Sequence, residues 1–567
     1  MALFSLVALS VFASFASAKC YDHSPAFPMP LWQHGTRDLA SALHGISEKL
    51  KAVVSDNKYE MSSFSVELTS NMDTLWSQHH TARKQNATRP GTTHVSGDSQ
   101  YRIASVTKSF TVLGVLYQHA AGNLSLDDPV LNYIPELSSP DSGKLPWKDI
   151  TIRALASQIS GLPREMGQGD LFGIRDPTDY GLPPVEGNGL PTCYWYNHFV
   201  PCNKSELFRD LKTKDPLFAP NQKSTYGNVN FALLGLVLEN VTGVSYSDYM
   251  RTAIFEPLDL TSTFLDAPSD ENAVLPVGQY YWGVDGGVLR PSGGIYTSSS
   301  DLSKYLRYVL THFNALATGV NWFMPASWAT GLRSFYGMPW EIFRTEKILP
   351  ETDRPVTLVT KGGGQPDYFS KIIMMPEYGL GLTILTAGHQ DLLGELQEIL
   401  TTNVVRAAEE VIWRDVEKTY TGTYLATNSS LNSSLELASS PSTSLIVNTF
   451  ISNGTNVFNQ LLPGLHGSDE HPWRAQLVPT LLYKNETAQQ GEVWRLLVTA
   501  ERMGEESGVW DDFCSTDIDV ASYAGLPVNE VVFWHEEDVI ELPAWRVKLR
   551  RRIGDEEQAK LVVQELR

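Results

Sequence analysis

The chain has 567 residues, 42% of them hydrophobic and 19% charged, with a formal net charge of −20 and a sequence pI of about 5.1. That length is more than one hydrophobic core ordinarily organises, and the balance suits a globular, water-facing protein. The acidity opposes a polyanion partner, so nucleic-acid binding is disfavoured, and solubility accounts for the charge.

The first residues, MALFSLVALSVFASFASAKC, form an apolar run ending in Ala16-Ser17-Ala18, the pattern of a signal peptide over 1–18. No Lys or Arg precedes that run, and it is short for a membrane span. No later stretch is apolar for long enough either; FALLGLVLENV is interrupted by Glu239 and Asn240. The expected mature chain begins near Lys19 and is released outside the cell. Four cysteines fit that compartment: Cys20, Cys193, Cys202 and Cys514. None has zinc-ribbon spacing, so disulfides are expected. Three pairings are possible. The most economical joins Cys193 to Cys202 around YWYNHFVP and Cys20 to Cys514, tying the mature N-terminus to the C-terminal region. Acceptor sequons for N-glycosylation stand at Asn86, Asn123, Asn203, Asn240, Asn428, Asn432, Asn453 and Asn485.

Elements follow in chain order. Prolines in KCYDHSPAFPMPLW argue for a non-helical tail over 19–35. From Thr36, TRDLASALHGISEKLKAVV has helical spacing, and SSFSVELTS alternates like a strand. SQYRIAS leads into an apolar helix within RIASVTKSFTVLGVLYQHAAG. A second apolar helix, NFALLGLVLENVTG, is ended by Gly243. SSSDLSKYLRYVLTHF is amphipathic, and YFSKIIMMP and LGLTILTA read as strands. Helices lie between antiparallel-type strands without a βαβ repeat, which favours α+β over 36–415. Near Tyr420 the composition turns to Thr, Ser and Asn with short alternating runs, so 416–567 is expected to be a β-rich domain, sandwich or small barrel. ELQEILTTNVVRAAEEVIWRDVEK is a helix bridging the two. The basic run Arg546–Arg552 is best explained by Arg546, Lys548 and Arg550 forming the wet face of a strand.

Ser105 and Lys108 stand three apart at the opening of the first apolar helix, so they share a face. Free N–H groups and the positive helix end point to the same place. A serine hydroxyl needs a base to take its proton, and a lysine serves once burial lowers its pKa. S-x-x-K at a buried helix start therefore supplies nucleophile, base and half of an oxyanion hole. A second match, Ser55 to Lys58, lies in a polar stretch with no apolar helix behind it and is set aside.

Two short segments give Ser105 and Lys108 company: Tyr226-Gly227-Asn228 just before the second apolar helix, and KGGG, Lys361 to Gly364, before a strand-like run. In the order S-x-x-K, Y-x-N, K-x-G they resemble the three motifs of class C serine β-lactamases, penicillin-binding proteins and related esterases. The surrounding text over about 36–405 resembles that superfamily too, and the two-domain layout behind a leader is similar to secreted fungal β-lactamase-like proteins with a C-terminal β domain. The resemblance implies a central antiparallel sheet flanked by helices, with a helical subdomain. It implies that Ser105 forms an acyl-enzyme, that Lys108 accepts its proton, and that Tyr226 passes that proton to the leaving group and later activates the second nucleophile. Asn228 would bond a polar group of the substrate. Lys361 would sit beside Tyr226, keep it acidic and attract a substrate carboxylate. Gly363 completes the third motif, and the oxyanion would rest on the N–H groups of Ser105 and Gly364. No cofactor or metal is implied, and the expected partner is a small-molecule or peptide ester or amide.

Three departures favour an ester or amide other than a β-lactam. KGG lacks the threonine hydroxyl of K-T-G, Gly227 replaces a residue with a side chain, and Gln158 stands where relatives often carry His. The stretch Arg164 to Cys202, rich in Gly, Pro and aromatics, is long for a bare connection; a Cys193–Cys202 loop would present Tyr194, Trp195 and Tyr196 as a binding wall or lid, or else be a surface decoration. Alternatives are a transacylase or peptide cyclase using the same acyl-enzyme, and a non-catalytic binder that kept the fold. There is no G-x-S-x-G elbow and no H-E-x-x-H, since HEEDVIE lacks the second histidine, and no phosphate-binding glycine loop.

Overall fold

The computed structural model describes residues 26–32, 37–139, 143–166, 177–186, 193, 200–352, 354–442, 444–466, 473–500, 518–519 and 521–552. The leader, and the expected Cys20–Cys514 bond, lie outside the described residues. Two compact units divide the chain, one formed by Trp32–Ile348 with Val356–Val405, the other by the described residues of Met1–Leu31, Leu349–Pro355 and Arg406–Arg567.

The first unit is α+β. Helix α1 (Arg37–Ser55) leads to strands β1 (Ser63–Ser70) and β2 (Thr74–His80). Helices α2 (Thr107–Ala120), α3 (Asn228–Thr242) and α4 (Ser299–His312) follow. Then come β3 (Ser327–Trp328), β4 (Ser334–Tyr336), β5 (Glu341–Thr345), β6 (Val356–Gln365), β7 (Tyr368–Met375) and β8 (Leu380–Ala387). They form an eight-stranded sheet in the order β2-β1-β8-β7-β6-β5-β4-β3, antiparallel at every pairing. Because β1 pairs with β8, the helices between them are held as a long insertion across the sheet.

The alternation in SFSVELTS suggests a half-exposed strand, yet every residue of β1 is buried. The polar half of the alternation meets α4. Glu67 accepts hydrogen bonds from the hydroxyls of Ser299, Ser300 and Ser303, and Arg307 donates to Thr69 Oγ1 at 3.0 Å. A buried polar face is tolerated because its partners are built into the covering helix. The three strands β3 to β5 carry no sustained alternation and are not evident in the sequence. KGGG also departs from the expectation that it precedes a strand: it lies inside β6.

Helices α2 and α3 are buried from Thr107 to Leu116 and from Val229 to Leu238. Their apolar character all round is that of core helices, not amphipathic ones. Helix α3 ends at Gly243, whose φ of 73° is the left-handed conformation that favours glycine. Among the described residues no single helix is long and apolar enough to cross a membrane.

The bridging sequence forms one long helix, α5 (Asp391–Tyr420), and the division between units falls inside it at Val405/Arg406, as does the expected boundary at 415/416. In the second unit eight strands make up a ring: β9 (Gly422–Ala426), β10 (Ser434–Ser440), β11 (Ser444–Ser452), β12 (Trp473–Asn485), β13 (Gln490–Ala500), β14 (Glu530–Trp534), β15 (Val539–Leu542) and β16 (Val547–Arg551), with the short strand Thr455–Asn456 added beside β11. Each pairs with the next, and β16 returns to β9, with Tyr424 opposite Arg551. Of the two architectures expected, this is the barrel, up-and-down and closed. In β16 Val547 and Leu549 are buried while Lys548 and Arg550 are exposed, as the wet-face reading of the basic run requires. Residues 26–31 of the N-terminal tail belong to this unit; Phe27 packs edge-on against Trp413 with ring centroids 5.7 Å apart.

Close helix contact has a direct consequence. A Cβ at Gly235 in α3 would lie 2.3 Å from Cγ of Pro291, a ring that cannot swing away. Gly235→Ala is expected to destabilise this unit by about 1–3 kcal/mol through overpacking, read as a lower unfolding midpoint by calorimetry. An unchanged midpoint would show that the helices can part at no cost.

Candidate active site

Ser105 sits in a 3-10 turn, Ala104–Val106, that runs into α2. Ala104 adopts φ 44°, a left-handed conformation that is costly for a residue with a side chain. Four contacts hold the turn. Ile103 N–H donates to Ile295 O at 3.1 Å, Val106 N–H to Ile103 O at 3.1 Å, Ile295 N–H to Thr107 Oγ1 at 3.2 Å, and Ser370 Oγ to Ile103 O at 2.7 Å. From Tyr101 to Leu116 every residue is buried except Ser105. The turn thus exposes one hydroxyl and hides everything that supports it.

Lys108 lies one helical turn on and is fully buried. Its Nζ donates to Ser105 Oγ at 2.9 Å and to Ser292 O at 2.7 Å. Burial holds its pKa below the ordinary lysine value, and the nearby Lys361 pushes the same way, against the pull of Tyr226 and Glu165. A lysine so placed gives up its proton more readily than one in water.

Tyr226 brings its ring centroid to 5.1 Å from both Lys108 Nζ and Lys361 Nζ, and to 4.7 Å from Arg164 Cζ. Burial alone would raise the phenol's pKa. The ammonium groups of Lys108 and Lys361 and hydrogen bonds from Ser105 and Lys108 overcome it and bring it down to about 8. The loop carrying Tyr226 is held by Gln158, itself buried at φ 63°. Gln158 Oε1 accepts from Gly227 N–H at 2.8 Å and from Asn230 Nδ2 at 3.1 Å, while its backbone oxygen accepts from Thr225 N–H at 2.8 Å. The residue noted as a departure is therefore a clamp on both sides of the phenol. A side chain at Gly227 would press on Asn230, with its Cβ 3.2 Å from Asn230 Nδ2.

On β6, Lys361 is buried, with Nζ donating to Glu341 Oε1 at 2.6 Å and to Gly362 O at 2.8 Å. Burial works against its charge, but Tyr226 and Glu341 more than restore it, and its pKa lies above the ordinary value. Gly363 explains why the third motif needs glycine within a strand. A Cβ there would lie 2.2 Å from Ile103 O and 2.9 Å from Ser105 N, so only a bare backbone lets β6 touch the nucleophile's turn. Gly364 follows and is exposed.

Ser105, Lys108, Tyr226, Lys361 and Gly363 therefore converge. Asn228 is near them but already bonded, with Nδ2 donating to Glu165 Oε1 at 2.5 Å. Sequence reasoning missed Glu165, Arg164 and Glu341. Arg164 Nε bonds Glu165 Oε1 at 3.1 Å, and Glu165 has its pKa raised by burial. Cys193 and Cys202 are joined, with Cα atoms 5.0 Å apart; Tyr194, Trp195 and Tyr196 lie outside the described residues. Of the eight sequon asparagines, Asn123, Asn203, Asn240, Asn428, Asn432, Asn453 and Asn485 are exposed. Asn86 is not: it is 7% exposed, and its Nδ2 donates to Pro276 O at 2.9 Å, so the nitrogen a glycan would need is committed inside the fold.

An antiparallel sheet flanked by helices, with a serine, a buried lysine and a phenol gathered at one helix start, points to one class of fold and site. The family model described as Beta-lactamase matches residues 57–399, and one described as Beta-lactamase-like-like, C-terminal domain, matches 412–553. The chain belongs to the beta-lactamase family. It is 32% identical over 530 residues to "Probable hydrolase M10" of a Phoma species, covering 90% of this chain and 87% of that one. It is 28% identical over 588 residues to "Beta-lactamase-like protein" of Arthroderma benhamiae, covering 94% and 96%. Among solved structures, a class C beta-lactamase from Rhodobacter sphaeroides aligns with a TM-score of 0.48 at 19% identity, over 64% of this chain and 99% of that one.

Gly363→Ala is expected to slow labelling of Ser105 by a fluorophosphonate at least about tenfold by forcing the strand off the nucleophile's turn. Intact-mass kinetics would read the rate, and an unchanged rate would mean the close approach is not needed.

Proposed function

We propose that this chain is a secreted serine hydrolase that cleaves an ester or amide through an acyl-enzyme on Ser105. The observation that carries the reading is the 2.9 Å bond between Lys108 Nζ and Ser105 Oγ, in a stretch where Ser105 alone is not buried. Neutral Lys108 or the Tyr226 phenolate takes the Ser105 proton as the hydroxyl oxygen attacks the carbonyl carbon. The N–H groups of Ser105 and Gly364 receive the oxyanion, and Tyr226 hands the proton to the departing oxygen or nitrogen. The same phenol then activates water, which releases the acid and restores Ser105. The names of the fungal relatives support the reading at the level of hydrolase.

The pH dependence follows from the sign of the shift. Where the Tyr226 phenolate is the base, proton transfer needs the deprotonated phenol, whose population grows as pH rises through about 8. With p-nitrophenyl esters, kcat/KM is expected to climb through that pH and level off above it. Tyr226→Phe should cost about 10²–10⁴-fold and abolish the limb. Lys361→Met, which removes one of the two cations, should move the limb to higher pH. Ser105→Ala should abolish turnover and fluorophosphonate labelling alike; a Ser105→Ala protein as active as the wild type would end the proposal.

Secretion is supported by the leader-like segment 1–18, the sequons and the Cys193–Cys202 bond. For protein recovered from the medium of a eukaryotic host, glycosidase treatment with isotope tagging should mark exposed sequons and leave Asn86 unmarked. A marked Asn86 would mean that the site is modified before its bond to Pro276 forms.

A further inference from the structure

The charged cluster beside the third motif belongs to no step above and has its own consequence, which rests on the acyl-enzyme reading. Strand β6 is paired with β5 only as far as Thr360, which faces Glu341, the first residue of β5. From Lys361 onward that edge of β6 has no strand partner in this pairing. Where the ladder stops, the Glu341 carboxylate takes over. Its Oε1 accepts from Lys361 Nζ at 2.6 Å, and its Oε2 accepts from Gly362 N–H at 3.0 Å and lies 3.4 Å from Lys371 Nζ.

This carboxylate sits where the middle residue of the third motif would project. A Cβ at Gly362 would lie 3.4 Å from Glu341 Oε2 and 3.6 Å from Lys371 Nζ. The groups that could greet an anion along this edge, two lysine amines and a backbone N–H, all face Glu341 already. The Lys361 side chain is 1% exposed, whereas that of Glu341 is 31% exposed, so an arriving group meets the carboxylate before the ammonium. Burial opposes the charge on Glu341, but Lys361, Lys371 and the Gly362 N–H outweigh it and hold its pKa at about 2, so it is ionised at any working pH. Such charge-assisted bonds are the strong ones, and their partners are not easily released to a competitor.

We infer that Glu341 is a specificity-determining residue: it fills the anion position beside Gly362 from within the chain, and the site takes esters or amides whose leaving group is uncharged there, rejecting those with a carboxylate. On this inference Lys361 serves Glu341 and does not attract a substrate carboxylate, the role the resemblance implied for it. The discrimination works by like-charge opposition and by denying the anion its donors.

The test compares two esters of the same acyl group with leaving groups of similar acidity, phenyl phenylacetate and m-carboxyphenyl phenylacetate, on the full chain and on Glu341→Gln. Acylation of Ser105 is followed by intact mass and turnover by product release. Wild type is expected to favour the phenyl ester at least tenfold in kcat/KM, and Glu341→Gln, which keeps the shape and removes the charge, to shrink that ratio at least tenfold. Equal handling of the two esters by wild type, or preference for the carboxylate, overturns the inference and leaves the hydrolase reading standing. A ratio unchanged in Glu341→Gln overturns the assignment to Glu341. Absence of Ser105 acylation by both esters overturns the acyl-enzyme reading itself and, with it, this inference.

Discussion

A lysine amine inside the core, bonded to the hydroxyl of the one residue from Tyr101 to Leu116 that is not buried, is the constraint around which the first unit is arranged. Lys108 can stay buried only if its charge is met or lost. Ser292 O and Ser105 Oγ receive its hydrogen bonds, and the phenol of Tyr226 stands over it. Ser292 and Tyr226 come from distant parts of the chain. The tight packing of α2, α3 and the Arg290–Gly294 turn delivers the Ser292 carbonyl, Gln158 fixes the Tyr226 loop, and glycine in β6 lets the sheet close on the same turn. The fold is a means of keeping an amine, a phenol and a hydroxyl together.

Charge in the site is arranged in a chain. Lys108 and Lys361 both face Tyr226, and Lys361 and Lys371 both face Glu341. A phenol and a carboxylate thus alternate with the amine groups. The alternation stabilises each ion while keeping any one of them from being an isolated buried charge. It also divides labour, since the end nearest Ser105 can exchange a proton and the end at Glu341 cannot.

The helices of the site were legible because local spacing encodes them. Ser105 and Lys108 are three apart, their helix is apolar for most of its length, and α3 stops at a glycine. The barrel was legible as strand-like alternation and a change in composition, with closure left open between two architectures. What stayed hidden depends on pairing across the chain. Glu341 looks like any acid in a sequence until β5 is laid beside β6, and β5 itself has too little alternation to announce a strand. Glu165 and Arg164 lie in a stretch whose composition says only loop. KGGG misleads for a physical reason: glycine usually weakens strands, and here it is kept for the contact with Ser105.

The closed barrel of the second unit has a consequence for how its sequence is strung. Since β9 is hydrogen-bonded to β16, the first and last strands of the ring are neighbours like any other pair, and none of those eight is an edge. The neighbour relations form a ring with no preferred starting point. A chain opened at one of the hairpins and rejoined between Arg551 and Gly422 would keep every ladder, so the architecture is compatible with circular permutation. The order in which its strands are written is a matter of history and not of hydrogen bonding.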